Sequence, residues 1–414
     1  MTYDFDRIIE RRGTGSNKWE AYPTDVLPLW VADMDFPAPD PILTALRERV
    51  DHGIFGYEAP PKILEEVVAR RVDRLYGWQV TPEMVIVVPG IVTGVNLAAG
   101  VVCTPGEGIL MQPPVYFPFL GVHENLGLVR QLAPLTQIND KQTLRYEVDF
   151  AAFSATLNSG GARTRLFLLC QPHNPTGQIY SREQLSCMAE ICLRNDVLIC
   201  SDEIHSELVL GNPLTSSVFS PRAGQGSTQA VARHIPIATL SPEIAARTIT
   251  LVAPSKTFNL PGLYCGFAII PDGELRERYT KEVRRMTLHV SSLAMVAAQA
   301  ALSGECDEWL SDLRCYLTAN RDFLVAFVKE NLPGIRTTIP EATYLAWLDC
   351  NELVKSGQIN GSPYTFFLHK AKVALNDGVA FGPGGEGCVR LNFGCTRATL
   401  VEALQRMEAA LHVG

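Results

Sequence analysis

The chain reads as an α/β protein built on a mostly parallel sheet covered by helices on both faces. Three observations predict this. Short apolar, β-branched runs recur, each ending in polar residues and giving way to a helical pattern, which is the rhythm of parallel strands buried on both sides. The residues with the most chemical promise, Asn174, Asp202 and Lys256, fall at or just beyond the ends of three such runs, where open α/β sheets bind ligands. At 414 residues the chain also exceeds the size at which one core stops growing, so two domains of unequal size are expected.

Taken in order, Trp30–Pro39 is a proline-punctuated loop that suits a flap over a pocket as well as an arm packed on a core. Pro41–Val50 has helical spacing, Gly53–Tyr57 is turn-rich, and Lys62–Tyr76 has the apolar period of an amphipathic helix. Met84–Val88 is a β-branched strand ending in Pro89-Gly90, with a helix from Ile91 to Val102. Such a junction aims free N–H groups at whatever lies before it, a standing phosphate site. Gly108–Met111 is the next strand, and Gln112–Phe119 leaves it as an aromatic-rich loop in which Tyr116 either stacks on a flat cofactor or fills core.

Leu166–Cys170 is a strand, and Ser181 with Gln184 opens a helix to Arg194 in capping-box spacing. Val197–Cys200, Thr248–Val252 and Gly266–Ile270 continue the strand series. Between them, Asn212–Thr228 reads as a surface excursion and His234–Ser241 as a second loop. Leu275–Met286 and Ser291–Lys329 read as helical, leading into a smaller C-terminal part with strands at Leu345–Leu348 and Cys388–Phe393 and a last helix at Ala398–His412.

Composition narrows the function. Hydrophobic residues at 47% with charged residues at 19% describe a compact protein, neither disordered nor membrane-spanning. A net charge of −8 with no basic patch argues against a nucleic-acid or anionic-membrane surface. The N-terminus is charged from the start and lacks the apolar run of a signal peptide, and the 11 cysteines, an odd number with no CxxC pair, suit a reducing, cytoplasmic compartment.

The chemistry centres on Lys256, flanked by Ser255 and Thr257 at a strand end. A partly buried amine there is a candidate Schiff-base former beside a phosphate site, which suits pyridoxal phosphate. Such an enzyme also needs a carboxylate to keep the pyridine nitrogen protonated, for which Asp202 is placed, and a hydrogen bond to the ring oxygen, for which Asn174 is placed. His205 is a candidate supporting group, and Arg390 either clamps a substrate carboxylate or makes a structural ion pair. A metal reading of Asp202-Glu203-Ile204-His205 is disfavoured, since strand alternation puts Asp202 and His205 on opposite faces and no further ligand cluster appears. There is no GxSxG elbow, P-loop or HExxH motif.

His173-Asn174-Pro175-Thr176-Gly177, Ser201 to Ser206, Ala253 to Asn259 and Val389 to Gly394 together resemble the fold-type I pyridoxal phosphate enzymes. Leu29 to Phe36, Pro114-Val115-Tyr116, and His234-Ile235-Pro236 with Ser241-Pro242-Glu243 resemble, more narrowly, the MalY/PatB-type cystathionine β-lyases. The resemblance implies a large domain over 48–287 with a mostly parallel seven-stranded sheet, and a smaller α+β domain from 1–47 with 288–414. It implies that Lys256 forms the imine with pyridoxal 5'-phosphate, Asp202 holds the pyridine nitrogen, Asn174 the ring hydroxyl, and Tyr116 stacks on the ring. Backbone near Ile91 and Val92, Ser255, and Tyr57 reaching from a second subunit would hold phosphate, so a homodimer with shared sites follows. Arg390 would bind the carboxylate of a sulfur-containing amino acid.

Where relatives commonly carry Asn-Ile-Ala-Gly-Leu after the lysine, this chain has Asn259-Leu260-Pro261-Gly262-Leu263 followed by Tyr264-Cys265-Gly266, changes expected close to the pocket. The position of His205 often carries tyrosine in aspartate aminotransferases, which favours the lyase branch. The implied activity is β-elimination from cystathionine or a related cysteine S-conjugate, giving thiol, pyruvate and ammonia. An aminotransferase of class I/II uses the same residues and is the alternative; a pyridoxal-binding regulator acting through a protein partner is a second.

Overall fold

The computed structural model describes residues 3–139, 143–157, 161–211 and 233–412. Its centre is a seven-stranded sheet of β1 (Val85–Val88), β2 (Gly108–Met111), β3 (Val129–Leu132), β4 (Thr164–Cys170), β5 (Leu198–Asp202), β6 (Thr248–Val252) and β7 (Gly266–Ile269). The order across the sheet is β1-β7-β6-β5-β4-β2-β3, and only β7 runs antiparallel to its neighbours.

Helices α1 (Asp40–His52), α2 (Lys62–Tyr76), α3 (Ile91–Val102) and α4 (Arg182–Arg194) belong to this half of the chain. Along β4 the side chains alternate. Leu166 and Leu168 share a buried cluster with Val95 and Leu97 of α3, while Phe167 and Leu169 pack on the other face with Leu185 and Met188 of α4. Both faces are apolar, which is why the strand reads as an unbroken apolar run. Ser181 and Gln184 cap α4 reciprocally, as their spacing predicts.

A four-stranded antiparallel sheet, in the order β8-β9-β11-β10, is formed by β8 (Arg336–Thr337), β9 (Leu345–Asp349), β10 (Asn376–Asp377) and β11 (Cys388–Asn392). Helices α5 (Ser292–Leu302), α6 (Asp307–Asn331) and α7 (Arg397–His412) belong to the later part of the chain.

Three local expectations are revised. The helical run expected from Ser291 to Lys329 is two helices, because Gly304 sits at φ 106°, outside helical space. The aromatic loop after β2 is shorter than expected: Tyr116 caps a helix over Phe117–Leu126, with Pro118 in its first turn. The loop expected from His234 to Ser241 contains a 3-10 turn at Ile237–Thr239. The Asn212–Thr228 excursion lies outside the described residues.

The loop at Trp30–Phe36 is both arm and pocket wall. Met34 and Phe36 are buried in the main core, while Ala32 lines the cavity at the strand ends. Side chains from distant segments pin its carbonyls: Arg390 donates to Trp30 (3.0 Å), Asn392 to Val31 (2.5 Å) and Asp33 (2.7 Å), and Tyr344 to Ala32 (2.9 Å). Asn259, in left-handed backbone at φ 57°, donates to Met34 (2.9 Å) and Phe36 (2.7 Å) and accepts from the Met34 N–H (2.9 Å). A single amide thus ties the lysine loop to the strap.

Asn259→Ala strips the strap of three hydrogen bonds. Each buried group left unpaired costs about 1–3 kcal/mol. The expected result is a urea midpoint lowered by the equivalent of roughly 2–4 kcal/mol with an unchanged slope, checked by urea unfolding followed by circular dichroism.

Candidate active site

Beyond the C-terminal ends of β4, β5 and β6, and facing the N-terminus of α3, lies a cavity of about 280 Å³. Asp202 is the last residue of β5, Lys256 lies four residues past β6 in a short helix at Pro254–Thr257, and Asn174 lies four past β4. Because these three strands are parallel neighbours, their ends deliver the three side chains to one wall. Larger clefts of about 510 and 1000 Å³ lie elsewhere, and neither has a lysine in its wall. Chemistry, not size, selects the site.

The wall drives its own charges toward neutrality. Burial, helped by the nearby Arg390 cation, pushes the Lys256 amine down to about 8, against the pull of Asp33 and Asp202. Burial pushes the Asp202 carboxyl up to about 7, opposed by the N–H of Ile204, which donates to it at 3.1 Å, and by Lys256. The Lys256 ammonium donates to the Ala32 carbonyl at 2.7 Å. Perturbed, mutually coupled groups in a cavity are the electrostatic mark of a reactive centre.

Arg390, on β11, sits one hydrogen bond behind this wall. Its guanidinium donates to Asn174 Oδ1 (3.0 Å), the Trp30 carbonyl (3.0 Å) and Asn376 Oδ1 (2.5 Å), and lies 5.1 Å from the centre of the Phe381 ring. Nε is buried without a partner, and among the described residues no carboxylate pairs with the guanidinium. Burial lowers it to about 10. A buried arginine is ordinarily paired; one held only by neutral oxygens is arranged for an anion that the protein does not itself supply.

Of the other residues expected here, Tyr116, Ile91, Val92, Ser255 and His205 all line the cavity. Ile91 and Val92 open α3, whose N-cap Gly90 holds φ 91° and whose first N–H groups lack intrahelical partners. Ser255 adds a hydroxyl beside them. This cradle, with a lysine and a buried carboxylate opposite, fits a phosphorylated pyridine aldehyde. Tyr57 is not brought to the site of its own chain: it is fully exposed in the irregular stretch at 53–61.

One expectation is overturned. Strand alternation does not separate Asp202 from His205, because β5 ends at Asp202, the chain turns, and both residues reach the same cavity. His205 is buried, its ring centre 6.0 Å from that of Tyr344, and its Nδ1 has no partner. Burial, Lys256 and Arg390 push it down to about 3, so it is a neutral imidazole. Among the described residues, no group of three or more His, Cys, Asp or Glu could hold a metal.

Sequence reasoning missed Thr93 and Cys170 in the wall, the Ala32 carbonyl, and Tyr344 behind it. Thr93 was reachable, one residue beyond the expected phosphate turn; Tyr344 carried no local signal, since only the fold brings it to residue 32. The departures at Pro261, Tyr264 and Cys265 do line the cavity, with Tyr264 left-handed at φ 51° and exposed.

Comparison with known proteins agrees with this architecture. The aminotransferase class I and II family matches residues 24–407. Cystathionine beta-lyase PatB of Bacillus subtilis is 38% identical over 99% of this chain and 100% of its own length. The crystal structure of a PLP-bound C-S lyase from Staphylococcus hominis superposes with a TM-score of 0.87 at 31% identity, covering 99% of this chain and 98% of that one. The aspartate aminotransferase of Pyrococcus horikoshii is 26% identical over 94% of this chain and 91% of its own length. From its strand order, the wall it builds at the strand ends and these end-to-end matches, the chain belongs to the aminotransferase class I and II family.

Proposed function

We propose that this protein is a pyridoxal phosphate-dependent carbon–sulfur β-lyase, cleaving cystathionine or a related L-cysteine S-conjugate with water to thiol, pyruvate and ammonia. The observation that carries the reading is the pairing in one wall of an amine lowered to about 8 with a buried carboxylate, one hydrogen bond from an unpaired guanidinium. The names of PatB and of the staphylococcal enzyme support the reaction class.

When bound, pyridoxal phosphate supplies a carbonyl that captures an amine and a ring that draws off the electron pair left at the adjacent carbon. The residues do the rest. Lys256 would anchor the cofactor and, once free, take the Cα proton; its depressed basicity leaves a larger share of the amine unprotonated near neutral pH than an ordinary lysine has. Asp202 would hold a proton at the ring nitrogen and Asn174 would donate to the ring oxygen, with the neutral His205 beside them. The N–H groups of Ile91 and Val92 and the Ser255 hydroxyl would hold phosphate, and Tyr116 would face the ring. Arg390 binds the α-carboxylate, exchanging neutral oxygens for a charged one.

The reading extends to the assembly. The large domain covers 48–287, which contains the whole seven-stranded sheet, and the small domain joins 1–47 to 288–414, which contains the four-stranded one. Ile54, Phe55 and Tyr57 stand exposed on one irregular stretch, which supports a homodimer in which the partner subunit's Tyr57 completes the phosphate site. Among the described residues no helix is long and apolar enough to cross a membrane, and all 11 cysteines are free, which supports a cytoplasmic setting.

The reading is tested by incubating the purified yellow protein with L-cystathionine and no keto acid. Equal release of pyruvate and thiol is expected; amino-acid formation only when a keto acid is supplied would replace the lyase by the aminotransferase. Lys256→Ala should keep the fold by circular dichroism and lose at least about a thousandfold in kcat, the usual scale for a proton-transfer group that also anchors covalently. Arg390→Lys forfeits the planar fork, and a loss of about 2–4 kcal/mol, or roughly 30- to 1000-fold in kcat/KM, is expected in steady-state kinetics.

A pH dependence follows from the amine. Below about 8 Lys256 is protonated and cannot attack, and above it the amine is free. The rate at which apoprotein captures pyridoxal phosphate should rise about tenfold per pH unit up to that point and then level off, as read by stopped-flow absorbance. A plateau only above pH 10 would refute the perturbed amine.

A further inference from the structure

The Ala32 carbonyl serves two donors at once. The Lys256 amine donates to it at 2.7 Å and the Tyr344 hydroxyl at 2.9 Å. Among the described residues no other group donates to this oxygen. Its neighbours leave it little freedom, because Asn392 donates to the Val31 and Asp33 carbonyls on either side, at 2.5 and 2.7 Å. The oxygen is therefore fixed whether or not both donors are present.

Tyr344 is held with equal firmness. Thr343, just before it, takes left-handed backbone at φ 73°, which a β-branched residue rarely adopts. Hydrogen bonds enforce it: the Thr343 N–H donates to the Leu208 carbonyl (3.0 Å), the Leu345 N–H to Thr343 Oγ1 (3.1 Å), and the Phe393 N–H to the Tyr344 carbonyl (2.8 Å). The ring is 1% exposed and lies edge-on to that of His205, centres 6.0 Å apart. Burial, with Asp33 adding to it, pushes the phenol well above its ordinary value, so the hydroxyl keeps its proton and remains a donor. Backbone strain retained where it aims one side chain points to a function for that side chain.

Lys256 gives up its bond to Ala32 when it links to the cofactor. The amine nitrogen bonds to the aldehyde carbon, both amine protons leave with the aldehyde oxygen as water, and any proton the linked nitrogen regains is shared with the ring oxygen beside it. A wall carbonyl that bound cofactor shuts off from water then needs another donor. We propose that Tyr344 is a positioning residue that keeps the Ala32 carbonyl as a standing seat for the lysine amine. Its hydroxyl satisfies the oxygen while Lys256 is linked, and shares it when the amine is released and returns. With one N–H on the seat, the lone pair of the free amine can face the cavity. The inference rests on the proposed anchoring role of Lys256 and deepens it.

The test compares two cofactor forms on apoprotein, with dissociation constants read by absorbance. Pyridoxal phosphate links to the lysine; pyridoxamine phosphate carries an amine in place of the aldehyde, cannot link, and leaves Lys256 on its seat. Tyr344→Phe removes the standing donor. It should weaken pyridoxal phosphate about tenfold or more, the consequence of one unpaired carbonyl, and leave pyridoxamine phosphate within about threefold of the parent. Tyr344→4-aminophenylalanine returns a donor to the end of the ring and should recover most of the loss. If Tyr344→Phe does not fold by circular dichroism, Tyr344→4-methylphenylalanine, which fills the volume of the hydroxyl without donating, takes its place.

Equal weakening of the two forms, no weakening of either, or failure of the 4-amino variant to recover would each overturn the seat. Borohydride reduction of the loaded parent protein, followed by peptide mapping, serves as the control. If the label is not on Lys256, the anchoring role falls and the seat with it; if the label is on Lys256 while both cofactor forms respond alike to Tyr344→Phe, the seat alone is wrong.

Discussion

A buried guanidinium without a carboxylate is the constraint on which the site depends. Arg390 is held by Asn174, Trp30 and Asn376 through neutral oxygens, and its charge reaches Lys256 and His205, lowering both. Among the described residues the one carboxylate of the cavity wall, Asp202, is itself pushed up by burial. The pocket is therefore short of negative charge in a poorly solvated place, and in the proposed roles a dianionic phosphate at α3 and a substrate carboxylate at Arg390 would each relieve it. Affinity for the cofactor and for the substrate would then arise from the same imbalance.

The strap at Trp30–Phe36 converts that electrostatic arrangement into geometry. Its carbonyls are spoken for by residues on β11, on the lysine loop and at Tyr344, so the two sheets and the loop of Lys256 share one stretch of backbone. The Ala32 carbonyl takes the Lys256 amine and the Tyr344 hydroxyl together. Side-chain donors from three parts of the chain make this irregular segment rigid without regular structure.

Much of this was legible in the sequence, and for identifiable reasons. Buried parallel strands are continuous apolar runs, and their ends are marked by the polar residues that follow, so Asn174, Asp202 and Lys256 could be placed without coordinates. The Ser181–Gln184 box was readable because a cap is local. What the sequence hid was non-local or depended on where a strand stops. Alternation misplaced His205 because β5 ends three residues earlier. Tyr344 and the Glu203–His234 contact join residues far apart in the chain, and no period or spacing announces them. Gly304 did carry a local signal, a glycine in a helical run, but the runs on either side masked the break it makes.

The most direct measurement is a comparison of S-methyl-L-cysteine with S-methyl-L-cysteinamide, which differ only in the charge offered to Arg390. If the unpaired guanidinium is the seat of the substrate carboxylate, kcat/KM for pyruvate-equivalent and thiol release falls by roughly 100-fold or more with the amide, the loss of a charge-assisted pair. Equal rates for the two would contradict the account, leaving Arg390 a structural residue and the substrate carboxylate bound elsewhere.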